Sequence, residues 1–183
     1  MLKVLIFLGF LLLSLRFFYW VGSSLFIEER WKRVLLAQTA EGLFLLFLFA
    51  QMFGNVTLLS MGQNDTWGII GFFLLFVGVC VSFAAKHQMA SGWVYAAAKS
   101  AKPQKLLTLG LFAYVRHPIY SSVVLSYTGA EMLAGSWLWV SALFLFIPFY
   151  LQARNEEKVL LKHFGVQYQA YQQRVKMLVP FLL

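Results

Sequence analysis

The chain has 183 residues, a formal net charge of +8 and a mean hydropathy of +0.73, and only 12% of it is charged. A soluble domain carries about twice that share of charge, so the composition argues against a cytosolic globular domain and equally against disorder. The positive balance belongs with membrane orientation and anionic lipid rather than with nucleic acid.

A membrane-spanning helix takes about 20 mostly apolar residues. The first such run covers about 4–26. It begins like a signal peptide, but no small-residue cleavage site precedes Phe17-Phe18-Tyr19-Trp20, so it reads as a retained helix. The second run covers about 34–60 and the third about 67–85. The fourth and fifth, about 119–134 and 137–151, form a tight pair hinged at Gly135-Ser136, short enough to imply tilt or local thinning. With the N-terminus outside, five spans put 13 of the 15 basic residues on one side, which the positive-inside rule makes cytoplasmic. The expectation is an all-α integral membrane protein with five transmembrane helices, one domain over 1–183 and a cytoplasmic C-terminus. Two polar stretches, about 86–118 and 152–181, then face the cytoplasm, where water-phase chemistry belongs.

Ionisable groups inside the bilayer are costly unless paired or hydrated. Arg16 and Glu41 fall within predicted spans and read either as a substrate-path charge or as a structural pair locking two helices. Glu131, near the outer end of the fourth span, is expected to be interfacial and hydrated. Cys80, the single cysteine, allows no internal disulfide and reads as a small buried core residue. His87 and His163 lack a partner spacing for metal, so no metal is expected.

Two clusters carry candidate chemistry. In the first, Gly110 permits a tight turn, and Pro118 pushes His117 out of the α region while suiting a helix start. The helix N-terminus with Arg116 is a ready site for a carboxylate or phosphate, or alternatively a cap at the lipid headgroups. In the second, Gln152 and Glu156 share a helix face, and Glu157, Leu160, Leu161, Phe164, Tyr168, Tyr171 and Val175 form an apolar stripe that begins with a carboxylate. Most of this segment reads as an amphipathic helix on the bilayer, with Gly165 ending it and a second short helix following.

In order and spacing, these clusters resemble the isoprenylcysteine carboxyl methyltransferase family, a relative of the phospholipid methyltransferases. The resemblance rests on Gly110, Arg116-His117-Pro118-Ile119-Tyr120, Glu156-Glu157-Lys158-Val159-Leu160, Phe164-Gly165, Tyr168, Tyr171, Arg174-Val175 and Pro180-Phe181, and covers under half the chain. It implies S-adenosyl-L-methionine as cofactor, with S-adenosyl-L-homocysteine as product, in a cytoplasmic pocket closed by the C-terminal helices. It implies cofactor contacts at Gln104, Lys105, Leu106, Leu107, Phe112, Arg116, His117, Pro118, Ile119, Tyr120 and Glu156. The helix start would receive the cofactor's carboxylate and Glu156 its ammonium, with Leu106, Leu107 and Phe112 beside the adenine.

The sequence departs from the family pattern at three places. Gln104 stands where eukaryotic members have His, and Phe112 where they have Tyr. Gln152 stands where they have an Arg one turn before the first Glu, thought to hold the substrate carboxylate. Arg154 lies two residues beyond, about 200° round the helix. The expected catalytic set is therefore Gln152, Arg154 and Glu157, with Glu156 or Glu157 as base where the acceptor is a thiol or amine. The partners implied are the bilayer and a lipid or lipidated small acceptor entering from it, with no nucleic acid. Alternatives are a phospholipid or amine N-methyltransferase of the same family, an NADPH-dependent membrane sterol or enone reductase, and a non-catalytic membrane scaffold.

Overall fold

A computed structural model of the chain describes residues 2–24, 31–53, 59–62, 64–90 and 106–181. Most of those residues are helical, with no strand among them. In chain order the helices are α1 (Leu2–Ser24), α2 (Trp31–Phe53), α3 (Asp65–Ala90), α4 (Pro118–Leu133), α5 (Ala142–Phe164) and α6 (Val166–Arg174). Short 3₁₀ turns at Gly110–Ala113 and Trp137–Ser141 precede α4 and α5.

The five expected spans fall on α1 to α5. Among the described residues three segments, Leu2–Tyr19, Asp65–Met89 and Trp137–Phe164, are long and apolar enough to cross a membrane, and Gly42–Gln51 in α2 is a shorter apolar helix. The second expected span, about 34–60, overshoots: α2 ends at Phe53, and Leu59 and Ser60 lie in a turn that pairs with the α4–α5 hinge. The third, about 67–85, falls short, because α3 runs on to Ala90. Its start is set by Asn64, whose Oδ1 accepts from the Thr66 N–H at 2.8 Å, with Asp65 at the positive end of the helix dipole.

The chain divides into two compact units, residues 1–79 with 125–141, and residues 80–124 with 142–183. In the first, Phe10 of α1 sits against Phe49 and Phe53 of α2, with ring centroids 5.4 and 5.8 Å apart. α3 and α4 touch through their backbones. A Cβ on Gly129 would lie 2.4 Å from the Leu75 nitrogen, and one on Gly71 would lie 2.6 Å from the Leu133 nitrogen. Small residues are how membrane helices approach this closely. The hinge is fixed by Met61 N–H to the Gly135 carbonyl and Trp137 N–H to the Leu59 carbonyl, both 2.9 Å.

Two expectations are corrected here. Glu131 is fully buried, not hydrated at an interface, and it accepts from the Gln51 Nε2 at 3.3 and 3.2 Å. Its place on the packed face of α4 gives it an amide partner instead of water. Cys80 is exposed on α3 rather than buried. The helix is apolar all round, so apolar surroundings in the sequence do not mark its core face, and Phe73 and Phe76 are exposed on it too. Arg16 is buried in α1. The side chain of Glu41, its expected partner, lies outside the described residues.

Because alanine at Gly129 drives Cβ into backbone and not into a pliable side chain, Gly129→Ala is expected to lower stability by about 1–3 kcal/mol. Thermal unfolding in detergent checks this, and an unchanged midpoint would mean the α3–α4 contact is loose.

Candidate functional site

The second unit brings the two sequence clusters together. Gly110 has a φ of +64, and a Cβ there would lie 2.6 Å from the Gln88 Oε1 at the end of α3. That same oxygen accepts the Leu111 N–H at 3.1 Å, which sets the 3₁₀ turn. The chain then runs alongside the segment after α6. Val115 pairs with Lys176 in a parallel bridge, the Arg116 N–H donates to the Lys176 carbonyl at 2.9 Å, and the His117 N–H donates to the Met177 carbonyl at 3.0 Å. The Tyr171 hydroxyl donates to the Phe112 carbonyl at 2.6 Å, and the Ser121 hydroxyl to the Leu178 carbonyl. Leu160, Tyr168, Tyr171 and Val175 form the core beneath, with Leu106, Leu161 and Phe164 packed on it.

At the centre is a buried ion pair. The Arg116 Nε lies 2.6 Å from the Glu157 Oε1, with the side chains 9% and 6% exposed. The Arg116 Nη1 donates to the Gln172 carbonyl at 3.2 Å and to the Val175 carbonyl, and the Gln172 amide donates to the Glu157 Oε2 at 2.8 Å. Both oxygens of Glu157 are thus engaged by the protein. Burial pushes the Tyr168 and Tyr171 phenols up from their ordinary range, and the charge of Glu157 pushes the same way, so both stay neutral.

Glu156, one residue earlier, is different. Its side chain is 41% exposed. Its Oε1 accepts from the Tyr120 hydroxyl at 2.7 Å and from the Gln152 amide at 3.1 Å. The His117 imidazole stands between the two carboxylates, with Nδ1 3.6 Å from the Glu156 Oε2 and Nε2 3.4 Å from the Glu157 Oε1. Neither contact is a hydrogen bond, and Nε2 is buried with no hydrogen-bond partner. Leaving such an atom unpaired costs about 1–3 kcal/mol. The ring stacks on Tyr120 at 5.6 Å, and Tyr120 stacks on Phe149 at 5.2 Å.

Arg116, His117, Tyr120, Gln152, Glu156 and Glu157 therefore meet at one place. Pro118 is fully buried at the start of α4, and Ile119 is half-buried beside it. Leu107 and Phe112 are half-buried, whereas Leu106 is taken up in the core under the site. Arg154 does not join: it is exposed, and its Nη1 donates to the Tyr150 hydroxyl at 3.1 Å. Gln104 and Lys105 lie outside the described residues. Arg116 was expected beside the helix N-terminus as part of an anion site, but its Nε and Nη1 serve Glu157 and two carbonyls. A buried guanidinium must satisfy its donors, and Glu157 is the carboxylate within reach. Gln172 and Gln88 had no sequence signal, since glutamine on a polar helix face has no distinctive spacing. Tyr171 was visible only as part of the apolar stripe.

A family model described as phospholipid methyltransferase matches residues 67–167, which include the first cluster and the second as far as Phe164. Methanethiol S-methyltransferase 1 of Bradyrhizobium diazoefficiens is 36% identical over 98 residues, covering 52% of this chain and 32% of that protein. Protein-S-isoprenylcysteine O-methyltransferase of Schizosaccharomyces pombe is 33% identical over 88 residues, covering 47% of this chain and 37% of that one. The chain thus spans about a third of the length of these relatives. The solved structure of a eukaryotic intramembrane Ras methyltransferase, isoprenylcysteine carboxyl methyltransferase, aligns with a TM-score of 0.60 over 88% of this chain and 56% of that one, at 22% identity, and shares the fold.

Removing one partner of the central ion pair strands a buried charge. Arg116→Ala or Glu157→Ala is expected to cost about 3–5 kcal/mol, and the double replacement Arg116→Met with Glu157→Met less than either alone. A thermal-unfolding cycle in detergent measures this, and additive losses would show that the two groups act separately.

Proposed function

This chain belongs to the phospholipid methyltransferase family, and we propose that it is a multi-pass membrane enzyme that transfers a methyl group from S-adenosyl-L-methionine to a lipid or lipidated small acceptor. On this reading the site faces the cytoplasm and the N-terminus lies outside. The observation that carries it is Glu156 on α5, a half-exposed carboxylate fixed by Gln152 and by Tyr120 at the start of α4, with the His117 imidazole 3.6 Å away.

These residues fit the cofactor. Its amino-acid end carries an ammonium and a carboxylate. Glu156 keeps lone pairs on Oε2 for the ammonium. α4 begins with no acidic residue in its first turn, so its positive end is not neutralised by its own side chains and suits the carboxylate. Leu107 and Phe112 supply partly buried apolar surface for the adenine. When bound, the cofactor supplies an electrophilic methyl group on a sulfonium sulfur.

The protein's own task is alignment and dryness. Tyr120 and Gln152 hold one oxygen of Glu156 from two sides, so the carboxylate is oriented before anything binds. The stacked rings of His117, Tyr120 and Phe149 give one wall of the site a flat apolar surface that excludes water. Arg116 and Glu157 cancel each other and keep the backbone at 115–117 in register with 176–177. The relatives' names pair this family with sulfur and carboxyl acceptors, one small and one lipidated. Apolar helices beside a water-facing site suit an acceptor that enters from the bilayer.

Purified protein is expected to bind S-adenosyl-L-homocysteine in a thermal-shift or calorimetric assay, and NADPH not at all. Glu156→Ala and His117→Ala should each weaken that binding roughly 10- to 100-fold, the range of a lost charge-assisted hydrogen bond. Unchanged binding in both variants would withdraw the site, and binding of NADPH instead would turn the reading to a reductase.

A further inference from the structure

The apolar stripe that a surface-lying α5 and α6 would press onto the bilayer is used up inside the molecule. Leu160, Tyr168, Tyr171 and Val175 pack as the core under the site. What α5 turns outward is its other side, and that side changes character along the helix. Phe144, Ile147 and Leu151 are 70%, 58% and 56% exposed. Arg154, Lys158 and Lys162 follow them, and all three are exposed too. Steps of three and four residues keep to one face of a helix, so these six side chains form one stripe, apolar in its first half and basic in its second.

The change falls where a bilayer would end. The segment Trp137–Phe164 is long and apolar enough to span. From Trp137 to Leu151 it rises about 23 Å, and Arg154 stands about 4–5 Å beyond, against a hydrocarbon thickness of about 30 Å. Arg154 therefore emerges at the level of the lipid phosphates, and the long stems of Lys158 and Lys162 reach back towards it.

Arg154 is also set for a phosphate. Its Nη1 donates to the Tyr150 hydroxyl at 3.1 Å, and its guanidinium carbon lies 5.8 Å from the centre of the Tyr150 ring. Tyr150 in turn packs on the core of Ala153, Met177 and Leu178, so the guanidinium hangs from an anchored side chain. Its planar fork suits phosphate oxygens taken in pairs. Like charges four apart on a helix repel, so Arg154, Lys158 and Lys162 on successive turns weaken α5 until an anion lies along them. The two acidic residues of α5 are engaged elsewhere, Glu156 by Tyr120 and Gln152, and Glu157 by Arg116 and Gln172.

We propose that this stripe binds one anionic phospholipid, with an acyl chain along Phe144, Ile147 and Leu151 and the phosphate on Arg154, Lys158 and Lys162. Arg154 and Lys158 are each two positions from Glu156, about 200° round the helix, so the lipid lies on the face of α5 turned away from that carboxylate. It is a fixed partner of α5 and not the methyl acceptor.

The full-length protein in neutral detergent is titrated with dioleoyl phosphatidylglycerol and dioleoyl phosphatidylcholine, which share acyl chains and differ in net headgroup charge, and bound lipid is counted by native mass spectrometry. Phosphatidylglycerol is expected to bind at least tenfold more tightly at its first site, since each cation near a membrane surface strengthens the attraction of anionic lipid roughly fivefold. Arg154→Gln with Lys158→Gln and Lys162→Gln is expected to bring the two affinities within about threefold. Lys3→Gln with Arg174→Gln and Lys176→Gln, an equal loss of exposed charge elsewhere, is expected to keep the preference. Should the triple replacement on α5 not fold, its three members taken singly read the same quantity, each lowering the preference about two- to fivefold. Millimolar inorganic phosphate, which lacks the acyl chain, is expected to leave the lipid bound. Equal affinities in the wild type, an unchanged preference in the α5 variants, an equal loss in the control or displacement by phosphate overturns the proposal. None of these outcomes involves the methyl donor, so each leaves the methyltransferase reading as it stood.

Discussion

The second unit is organised around the need to satisfy one buried guanidinium. Arg116 sits at the end of an irregular segment with only a tenth of its side chain exposed. It draws Glu157 from α5 and two carbonyls from around the end of α6. Those acceptors are far from it in the chain, so meeting its demand fixes where the segment from 171 to 178 runs. The backbone bonds at 116 and 117 follow from the same placement. Glu156 and His117 then inherit positions that neither would hold alone. Buried ion pairs are poor sources of net stability but costly to break, which makes them effective at selecting one arrangement.

The twin glutamates look alike in the sequence and differ in the folded chain. Successive helix positions point about 100° apart. Glu156 therefore turns outward to Tyr120, Gln152 and solvent, and Glu157 inward to Arg116. A carboxylate buried in an ion pair and one open to solvent can thus share a dipeptide.

Much of this was legible in the residues. The apolar runs located the five long helices, Pro118 marked the start of α4, and Gly165 marked the break before α6. Their local chemistry is strong: proline fixes φ, and Gly165 takes a positive φ of 51. The meeting of the turn at 110–120 with Glu156 and Glu157 was legible from the ordered motifs, not from any single residue. Side-chain direction was harder to read. The sequence does not reveal that Arg116 would serve Glu157 or that Glu131 would face Gln51, because helices rich in apolar residues on every side carry no periodic mark of which face is packed. Cys80 went astray for the same reason.

The parallel bridge between Val115 and Lys176 has a consequence for how the molecule assembles. Its partners are about sixty positions apart, so nothing local can bring them together, and closing so long a loop is entropically expensive. The α4 and α5 helices between them span most of that loop and so reduce the free chain that has to be closed. The bridge therefore depends on both helices being in place. A protease that cut the strip at 175–178 would take away carbonyl partners of Arg116 and His117 while leaving the long helices uncut.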